Sequence, residues 1–204
     1  MTVRPDLELI AQLVAPESRV LDLGCGDGWL LRRLRRTQCS GTGVEIDPEP
    51  FRNALRAGVD VVDLDINSQL DEFRDDSYDV VVLSRTLQNV QKPRHVLQHM
   101  ARIAQRSIVS MPNFAQLSNR LRLLRGRMPM SKDLPFAWYD TPNVHYTSLV
   151  DLEPLFGDLD LVVEQRIPLN GRGDRHWAGD RLPNLLAGSA VYVLRAERGP
   201  DAPH

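Results

Sequence analysis

The sequence predicts an α/β fold built on a doubly wound, mostly parallel sheet with helices on both faces. Short strand candidates alternate with helix candidates from the N-terminus to about Pro112. The strand candidates carry apolar residues on both faces, which is typical of strands that are covered by helices on both sides. Right-handed crossovers between such parallel strands then produce the doubly wound arrangement.

Each element of this fold has its own signal in the sequence. Apolar residues at helical spacing predict a first helix over 6–14, which ends before Pro16. Apolar runs predict five parallel strands over 19–23, 41–46, 59–65, 78–84 and 107–112. Amphipathic stretches predict helices over 29–36, 47–58 and 93–104. Asp47 is a suitable N-cap for the second of these helices. Two further strands are predicted over 159–167 and 189–196, and we expect the last one to be antiparallel.

The chain length favours a single domain over residues 1–196, followed by a flexible tail over 197–204. A long connection, residues 114–157, separates the fifth strand from the sixth, and we call it the cap. It contains the arginine-rich helix candidate NRLRLLRGR. Connections of this length inside a compact domain are usually functional or mobile. We therefore expect a cap that is inserted after the fifth strand.

Composition and charge narrow the class of function. Hydrophobic residues make up 42% of the chain, charged residues make up 25%, and the formal net charge is -2. These values are ordinary for a globular protein and provide no overall positive field for nucleic acid or an anionic membrane. No apolar run approaches the roughly twenty residues that span a bilayer, and the N-terminus MTVRPDLELI lacks the apolar core of an export signal. We expect a cytoplasmic protein with no nucleic-acid or membrane partner.

The two cysteines, Cys25 and Cys39, permit three interpretations. They can form a disulfide, act as a redox pair or have no special role. In a reducing cytoplasm, buried thiols behave as small apolar side chains, and this is the case that we expect. We expect no metal site.

The first strand leads into a glycine-rich turn, GCGDG, which precedes a helix. Its glycines, Gly24, Gly26 and Gly28, let the backbone turn sharply and let a ligand approach closely, while the helix offers unpaired N–H groups. The dinucleotide fingerprint requires a third glycine at the sixth position, where this chain has Trp29. The alternative from another class is an NAD-linked oxidoreductase. Such an enzyme would also need a hydride-handling His or Tyr/Lys pair, and the sequence shows no obvious one. The GxGxG spacing instead resembles motif I of class I S-adenosylmethionine (SAM)-dependent methyltransferases.

Acidic residues follow the strands at the edge where doubly wound sheets bind ligands. Glu45 ends the second strand, where a carboxylate can accept hydrogen bonds from both ribose hydroxyls. The resemblance to methyltransferases implies an adenine-side contact for Asp65 and an amino-group contact for Asp22. The alternative for an acid at a strand end is a helix cap. The predicted cofactor is SAM or S-adenosylhomocysteine, and its candidate binding residues are Asp22, Gly24, Cys25, Gly26, Gly28, Glu45, Ile46, Asp65, Ile66 and Ser84.

A more specific resemblance involves most of the chain. The segments VLDLGCGDG, GTGVEID, SRTLQNV, SIVSMPNF, GRMP, LPFAWYDTPNVH and DLEPLF are similar to those of the methionine biosynthesis protein MetW, from about residue 4 to 156. The glycine pair that methyltransferases usually carry before strand five is replaced by RIAQRSIV, a departure that MetW shares. Met111 stands where an aromatic residue is commoner. The resemblance implies a SAM-dependent methyltransferase fold that works in methionine biosynthesis with a MetX-type homoserine O-acyltransferase.

Two functional hypotheses follow from these observations. The first is a SAM-binding partner that supports the acyltransferase, and the second is a catalytic methyltransferase that acts on an unidentified small molecule. Methyl transfer needs an aligned nucleophile and an acceptor for its proton, and the candidate catalytic residues are His145 and Tyr139, with Asp140 and His176 as further options. A structural role is the alternative for His145. Tyr139 and its neighbour Trp138 can wall a pocket, present a partner surface or form a lid. The arginine cluster of the cap is either a solvated helix face or a contact for an anionic partner or substrate.

Overall fold

The computed structural model describes residues 4–131, 134–170, 173–175 and 181–197. The strands are β1 (Arg19–Leu23), β2 (Ser40–Val44), β3 (Val61–Val62), β4 (Val80–Ser84), β5 (Arg106–Pro112), β6 (Leu161–Leu169) and β7 (Ser189–Ala196). The helices are α1 (Pro5–Leu13), α2 (Trp29–Leu34), α3 (Pro48–Arg56), α4 (Pro93–Ile103), α5 (Leu117–Leu124), α6 (Leu149–Gly157) and α7 (Pro183–Leu186). No helix in the described ranges is both long and apolar enough to cross a lipid bilayer.

The strand pairing confirms the predicted doubly wound, mostly parallel sheet. The seven strands lie in the order β3-β2-β1-β4-β5-β7-β6. β1 pairs in parallel with both β2 and β4, so the sheet extends from β1 in two directions. β7 is antiparallel to β5 on one side and to β6 on the other. The expected antiparallel C-terminal strand is therefore present, and it lies between two strands that precede it in the sequence.

Helices cover both faces of the sheet, and successive residues of the central strands alternate between two apolar cores. Val20 of β1 and Val82 of β4 belong to the core that includes side chains of α1, α2 and Ala54 of α3. Leu21 and Leu83 belong to the other core, which includes side chains of α4 and α6. Because neighbouring residues of a strand point to opposite faces, a strand that is apolar throughout requires cover on both sides.

The element boundaries lie within a few residues of the predicted ones except at β3. The strand predicted over 59–65 contracts to Val61–Val62. This strand is at the edge of the sheet, where β2 is its single neighbour, so fewer ladder hydrogen bonds hold it. The Asp47 carboxylate accepts a hydrogen bond from Glu49 N at 3.3 Å, which confirms the predicted N-cap of α3.

The predicted cap contains two different kinds of structure. Its last nine residues form α6, whose side chains Leu149, Leu152 and Phe156 are buried in one of the two cores. α6 is therefore a covering helix of the sheet. The described residues of the remaining part, 114–131 and 134–147, contain α5 and irregular backbone. Residues 198–204 of the predicted tail lie outside the described part of the chain, as does His176.

Candidate functional site

A cleft lies at the carboxyl end of β1, in the position where doubly wound sheets bind ligands. Its volume is about 480 Å³, which is within the usual range for a small-molecule site. The glycine-rich turn, the start of α2, the N-terminal end of α1 and the end of β4 all contribute to it. The residues that line the cleft are Arg4, Leu7, Asp22, Gly24, Cys25, Gly26, Asp27, Trp29, Leu30, Arg32 and Ser84.

The glycine-rich turn is packed tightly at two positions and is open at a third. Gly24 and Gly28 both have a φ of 72°, which residues with a side chain rarely adopt. A Cβ atom at Gly24 would lie 2.7 Å from Thr86 Oγ1, and one at Gly28 would lie 2.7 Å from Val59 Cγ2. At Gly26, nothing lies within 4 Å of the corresponding position. The turn therefore packs closely against the fold and leaves free space beside Gly26.

Cys25 has a packing role in this turn. Cys25 and Cys39 are both free and buried, in agreement with the third interpretation of the cysteines. A side chain at Gly43 of β2 would collide with the Cys25 sulfur, so the glycine makes room for the thiol. Burial raises the pKa of Cys25, and the carboxylates of Asp22 and Glu45 raise it further. The thiol stays protonated at neutral pH, which makes it a poor nucleophile.

Glu45, predicted to bind a ribose, connects two of the turns at this edge of the sheet. One of its carboxylate oxygens accepts a hydrogen bond from Gly26 N at 2.8 Å, and the other accepts one from Asp47 N at 2.9 Å. A carboxylate has about four lone-pair positions, so acceptor capacity is left for the hydroxyl groups of a ligand. Glu45 thus fixes the glycine-rich turn and presents a negative charge beside Gly26.

Asp22 is a buried acid that lines the cleft. Burial raises the pKa of Asp22 to about 7, while the Arg4 guanidinium lowers this pKa and the Glu45 carboxylate raises it. The cost of desolvation makes the ionised form unfavourable without a cation. A positively charged group of a ligand would add a second cation to Arg4, and contact with such an amino group is the role predicted for Asp22.

The residues at the start of α1 were not predicted as part of the site. Arg4 lines the cleft and donates a hydrogen bond to Ser84 Oγ at 2.5 Å. Asp6 is 1% exposed and accepts hydrogen bonds from the hydroxyls of Ser84 and Ser110 at 3.3 and 3.2 Å, with Arg85 Nε 3.3 Å away. Periodicity predicts α1 as a helix, but it does not show that its first charged residues pack against the ends of β4 and β5.

The remaining predicted cofactor residues are in different surroundings. Ser84 lines the cleft, whereas Ile46 is 59% exposed and Ile66 packs against one of the cores. Asp65 is not among the described residues that line the cleft. Its carboxylate accepts hydrogen bonds from the backbone and side-chain nitrogens of Asn67, both at 2.9 Å, and these bonds lower the Asp65 pKa. These bonds stabilise the turn that follows β3; Asp65 is not the N-cap of a helix, which was the alternative that the sequence left open.

The two candidate catalytic residues lie in the cap. His145 is exposed, and its backbone N–H donates to the Gln88 carbonyl at 3.0 Å. Tyr139 is 77% exposed, and its ring packs edge-on against Trp138 with the ring centroids 5.5 Å apart. Within the described chain, neither His145 nor Tyr139 lines the cleft. The structure thus brings Asp22, the glycine-rich turn and Glu45 together and does not bring the candidate base to them.

Solved structures with this architecture define the class of fold. A methyltransferase in complex with the Trm112 methyltransferase activator of Haloferax volcanii has a TM-score of 0.70 and 20% identity, over 96% of this chain and 91% of that chain. The magnesium protoporphyrin IX methyltransferase of Synechocystis PCC 6803 with bound SAH has a TM-score of 0.69 and 15% identity, over 95% of this chain and 83% of that chain. The fold is therefore that of the class I SAM-dependent methyltransferases.

The family follows from sequence comparison. The family model for methionine biosynthesis protein MetW matches residues 4–194, and the chain belongs to this family. The bifunctional methionine biosynthesis protein MetXA/MetW of Rhodopirellula baltica is 34% identical over 97% of this chain and 33% of its own length. The chain thus spans about a third of the length of the curated relatives that it matches. The resemblance to MetW that the sequence suggested is confirmed.

Proposed function

We propose that this chain binds SAM in the cleft and supports a MetX-type homoserine O-acyltransferase in methionine biosynthesis. The observation that carries the cofactor assignment is the presence of opposite charges, Asp22 and Arg4, in one ligand-sized cleft. SAM ends in an ammonium and a carboxylate on the same carbon atom, so a buried acid and an arginine complement it. Ionic hydrogen bonds of this kind are stronger than neutral ones.

The surroundings of the cleft also fit the cofactor. Glu45 is not among the described residues that line the cleft, but it is bonded to the glycine-rich turn that does. The open space beside Gly26 allows close approach to the backbone, and the Glu45 carboxylate next to it can accept hydrogen bonds from ribose hydroxyls. Asp22 would hold the ammonium and Arg4 the carboxylate. Bound SAM supplies a methyl group on a positively charged sulfur, and the residues of this chain bind and orient the molecule.

The fused relative supports the partnership with the acyltransferase. In the Rhodopirellula baltica protein, a MetW part and a MetXA part occur in a single bifunctional protein. Fusion keeps the MetW and MetXA parts at a one-to-one ratio and at a high effective concentration, which suits two proteins that work together. The Haloferax volcanii structure provides a precedent within this fold for assembly with an activator protein.

Contacts between the cleft and the cap support coupling of cofactor to partner. Thr86, which follows β4, packs against Gly24 of the glycine-rich turn. The Gln88 carbonyl accepts hydrogen bonds from the backbone N–H groups of Val144 and His145 at 2.9 and 3.0 Å. A change at the turn can therefore reach the cap through a short series of packed residues. We propose that SAM binding changes the affinity of the chain for the acyltransferase.

The experiment combines a binding assay with an activity assay. Calorimetry measures SAM binding to the purified chain, and acyl transfer to homoserine is measured with the acyltransferase of the same organism, with and without the chain and SAM. We expect SAM binding and a higher acyltransferase activity in the presence of the chain. Because coupling is reciprocal, SAM should change the affinity for the acyltransferase by the same factor as the acyltransferase changes the affinity for SAM. No effect on acyl transfer and no complex would refute the partnership.

Catalytic methyl transfer is the alternative function, and it has less support. Neither His145 nor Tyr139 lines the cleft among the described residues, and the fold alone does not establish chemistry. Methyl transfer from labelled SAM to a small-molecule extract tests it directly. Turnover without any effect on the acyltransferase would favour this alternative.

We further propose that the protein acts in the cytoplasm. Its two cysteines, Cys25 and Cys39, are buried as free thiols, which fits a reducing compartment. Fractionation of cells that express a tagged chain tests this location.

A further inference from the structure

The helix α5 carries its apolar side chains on the outside of the protein. Leu117, Leu121 and Leu124 are 43%, 41% and 83% exposed, and their spacing of i, i+4 and i+7 places them on one face. Asn119 is the buried residue of this helix. A helix on the surface of a domain normally turns its apolar stripe to the core. The leucine stripe of α5 instead faces solvent.

The hydrogen bonds at both ends of α5 fix its position. The Asn119 side-chain nitrogen donates to the Phe114 carbonyl at 2.9 Å. At the other end, Gly126 has a φ of 68°, and Arg127 N donates to the Arg122 carbonyl at 3.0 Å. This is the hydrogen-bond pattern of a Schellman C-cap. An ordered helix loses little conformational entropy when a partner binds to it.

Exposed apolar side chains continue beyond the helix. Arg122 Nε donates to the Met128 carbonyl at 3.1 Å, which holds Met128 beside α5. Met128 and Trp138 line the same small crevice. Met130, Phe136 and Tyr139, which also follow α5, are large side chains that are 44% to 77% exposed. We define the α5 face as Leu117, Leu121, Leu124, Met128, Met130, Phe136, Trp138 and Tyr139 with the arginines Arg120, Arg125 and Arg127.

The α5 face is locally basic. Residues 114–131 include four arginines and no aspartate or glutamate, although the whole chain has a formal net charge of -2. Arg120, Arg125 and Arg127 are exposed. Aromatic residues, methionine and arginine are enriched in binding interfaces, and complementary charge determines which partner is selected. The partner surface that complements the α5 face is therefore acidic and has an apolar centre.

We infer that the α5 face is the docking surface for the acyltransferase, and that its counterpart is an apolar groove bordered by carboxylates. This inference rests on the proposed function, which supplies the partner. Its basis is the combination of an exposed leucine stripe, a concentration of positive charge and a relative in which a MetXA part belongs to the same protein. Large exposed apolar patches mark interaction sites in soluble proteins.

A second copy of the chain is a less suitable occupant. In a two-fold symmetric dimer the same patch contacts itself, so the arginines of one protomer would face those of the other. Like charges at such an interface repel each other. An anionic membrane would attract the arginines, and the experiment therefore includes vesicles of phosphatidylglycerol as a separate measurement.

Surface plasmon resonance with the purified acyltransferase of the same organism tests the assignment. The double variant Leu121→Ser/Leu124→Ser removes apolar contact area from exposed positions, so the fold should tolerate it. The double variant Arg125→Glu/Arg127→Glu reverses the local charge. We expect each to weaken binding at least about tenfold, as truncation of interface hot spots does. The loss caused by charge reversal should diminish as salt is raised, because salt screens exposed charges.

Matched controls are available on α3, which does not contribute to the α5 face. Leu55 is 50% exposed, and Arg52 and Arg56 are exposed arginines of the same helix. Leu55→Ser and Arg52→Glu/Arg56→Glu should keep the affinity for the acyltransferase within about twofold, since they change equivalent groups at another surface.

Trp138→Ala is a third test of the α5 face. It should weaken binding of the acyltransferase about tenfold or more because it removes an exposed aromatic group of this face. Equal SAM affinity and circular dichroism spectra verify that all variants are folded.

Each outcome decides the inference. Loss of binding in the α5 variants with retention in the α3 variants supports it. If the wild-type chain binds the acyltransferase and the α5 variants bind equally well, the α5 face is not the docking surface, while the proposed partnership stands. If the wild-type chain does not bind the acyltransferase at all, the proposed function and this inference both fail. Equal acyltransferase binding, together with loss of self-association in sedimentation or of vesicle binding in the α5 variants, would reassign the face to a second copy or to a membrane.

Discussion

Replacement of Glu45 tests the cofactor site most directly, because this carboxylate serves both the fold and the proposed ligand. Its two oxygens accept backbone hydrogen bonds from Gly26 at 2.8 Å and from Asp47 at 2.9 Å. Glu45→Ala removes both of these bonds and the acceptor that we propose for the ribose. We therefore expect two separable effects, one on the free energy of unfolding and one on the affinity for SAM.

The stability effect comes mainly from the bond to Gly26. Hydrogen bonds to a charged group contribute roughly 1.5–3 kcal/mol. The Gly26 bond is partly buried, whereas the Asp47 bond is exposed and water can replace it. In a domain of this size, a loss of about 1 kcal/mol lowers the melting temperature by about 2–4 °C. Glu45→Ala should therefore lower the melting temperature of the ligand-free protein by roughly 3–12 °C.

The affinity effect follows from the loss of a charged acceptor while the ribose hydroxyls stay. A cost of roughly 1.5–3 kcal/mol corresponds to an affinity decrease of about 10- to 100-fold. Glu45→Gln should have an intermediate effect, since its amide has a single acceptor oxygen. Calorimetry well below the melting temperature separates binding from unfolding. Glu49 is an exposed acid in the first turn of α3, and the control variant Glu49→Ala should bind SAM as the wild type does. A folded Glu45→Ala protein with unchanged SAM affinity would show that Glu45 is purely structural.

Further predictions concern Asp22 and Arg4, which line the cleft, and His145 of the cap. Because burial raises the pKa of Asp22 to about 7, SAM affinity should fall about tenfold per pH unit below that value, and calorimetry on Asp22→Asn should show a weaker dependence on pH. The folded state binds more protons than the unfolded state between the ordinary aspartate pKa of 3.8 and about 7, so stability due to Asp22 falls as pH rises through this window. In thermal melts without ligand, Asp22→Asn should therefore be more stable than the wild type above pH 7; an unchanged melting temperature would contradict the raised pKa. Arg4→Met should weaken binding of SAM about tenfold, as expected for a charged hydrogen bond, and leave binding of decarboxylated SAM unchanged, whereas Arg32→Met, at another position of the cleft, should not discriminate between the two ligands. If methyl transfer is detected and His145 is the base, His145→Ala should abolish turnover and keep SAM affinity within about threefold; parallel losses of rate and binding would identify a pocket or folding residue.

The N-terminal end of the chain shows where sequence reasoning reached its limit. Apolar residues at helical spacing predict α1, and the helix is present as Pro5–Leu13. The pattern assigns no position to Arg4 or Asp6, and charged residues are seldom fully buried. Asp6 is nevertheless 1% exposed and bonded to serines of β4 and β5. These partners lie 78 and 104 residues further along the chain, so no local pattern contains the information.

The sequence by itself determined the strands, the helices α1 to α5, the glycine-rich turn and the family, but it did not predict α6 or α7. Their causes are local, since periodicity, glycine conformations and caps act within a few residues. Tertiary structure alone decided that β7 lies between β5 and β6, that Asp65 caps a turn while Asp22 lines the cleft, and that the leucines of α5 face solvent. An apolar stripe predicts that a helix buries one face, but it does not predict whether the same domain or another protein covers that face. The position of each side chain relative to distant strands depends on the packing of the whole chain, because the free energy of burial is released only when those strands are in place.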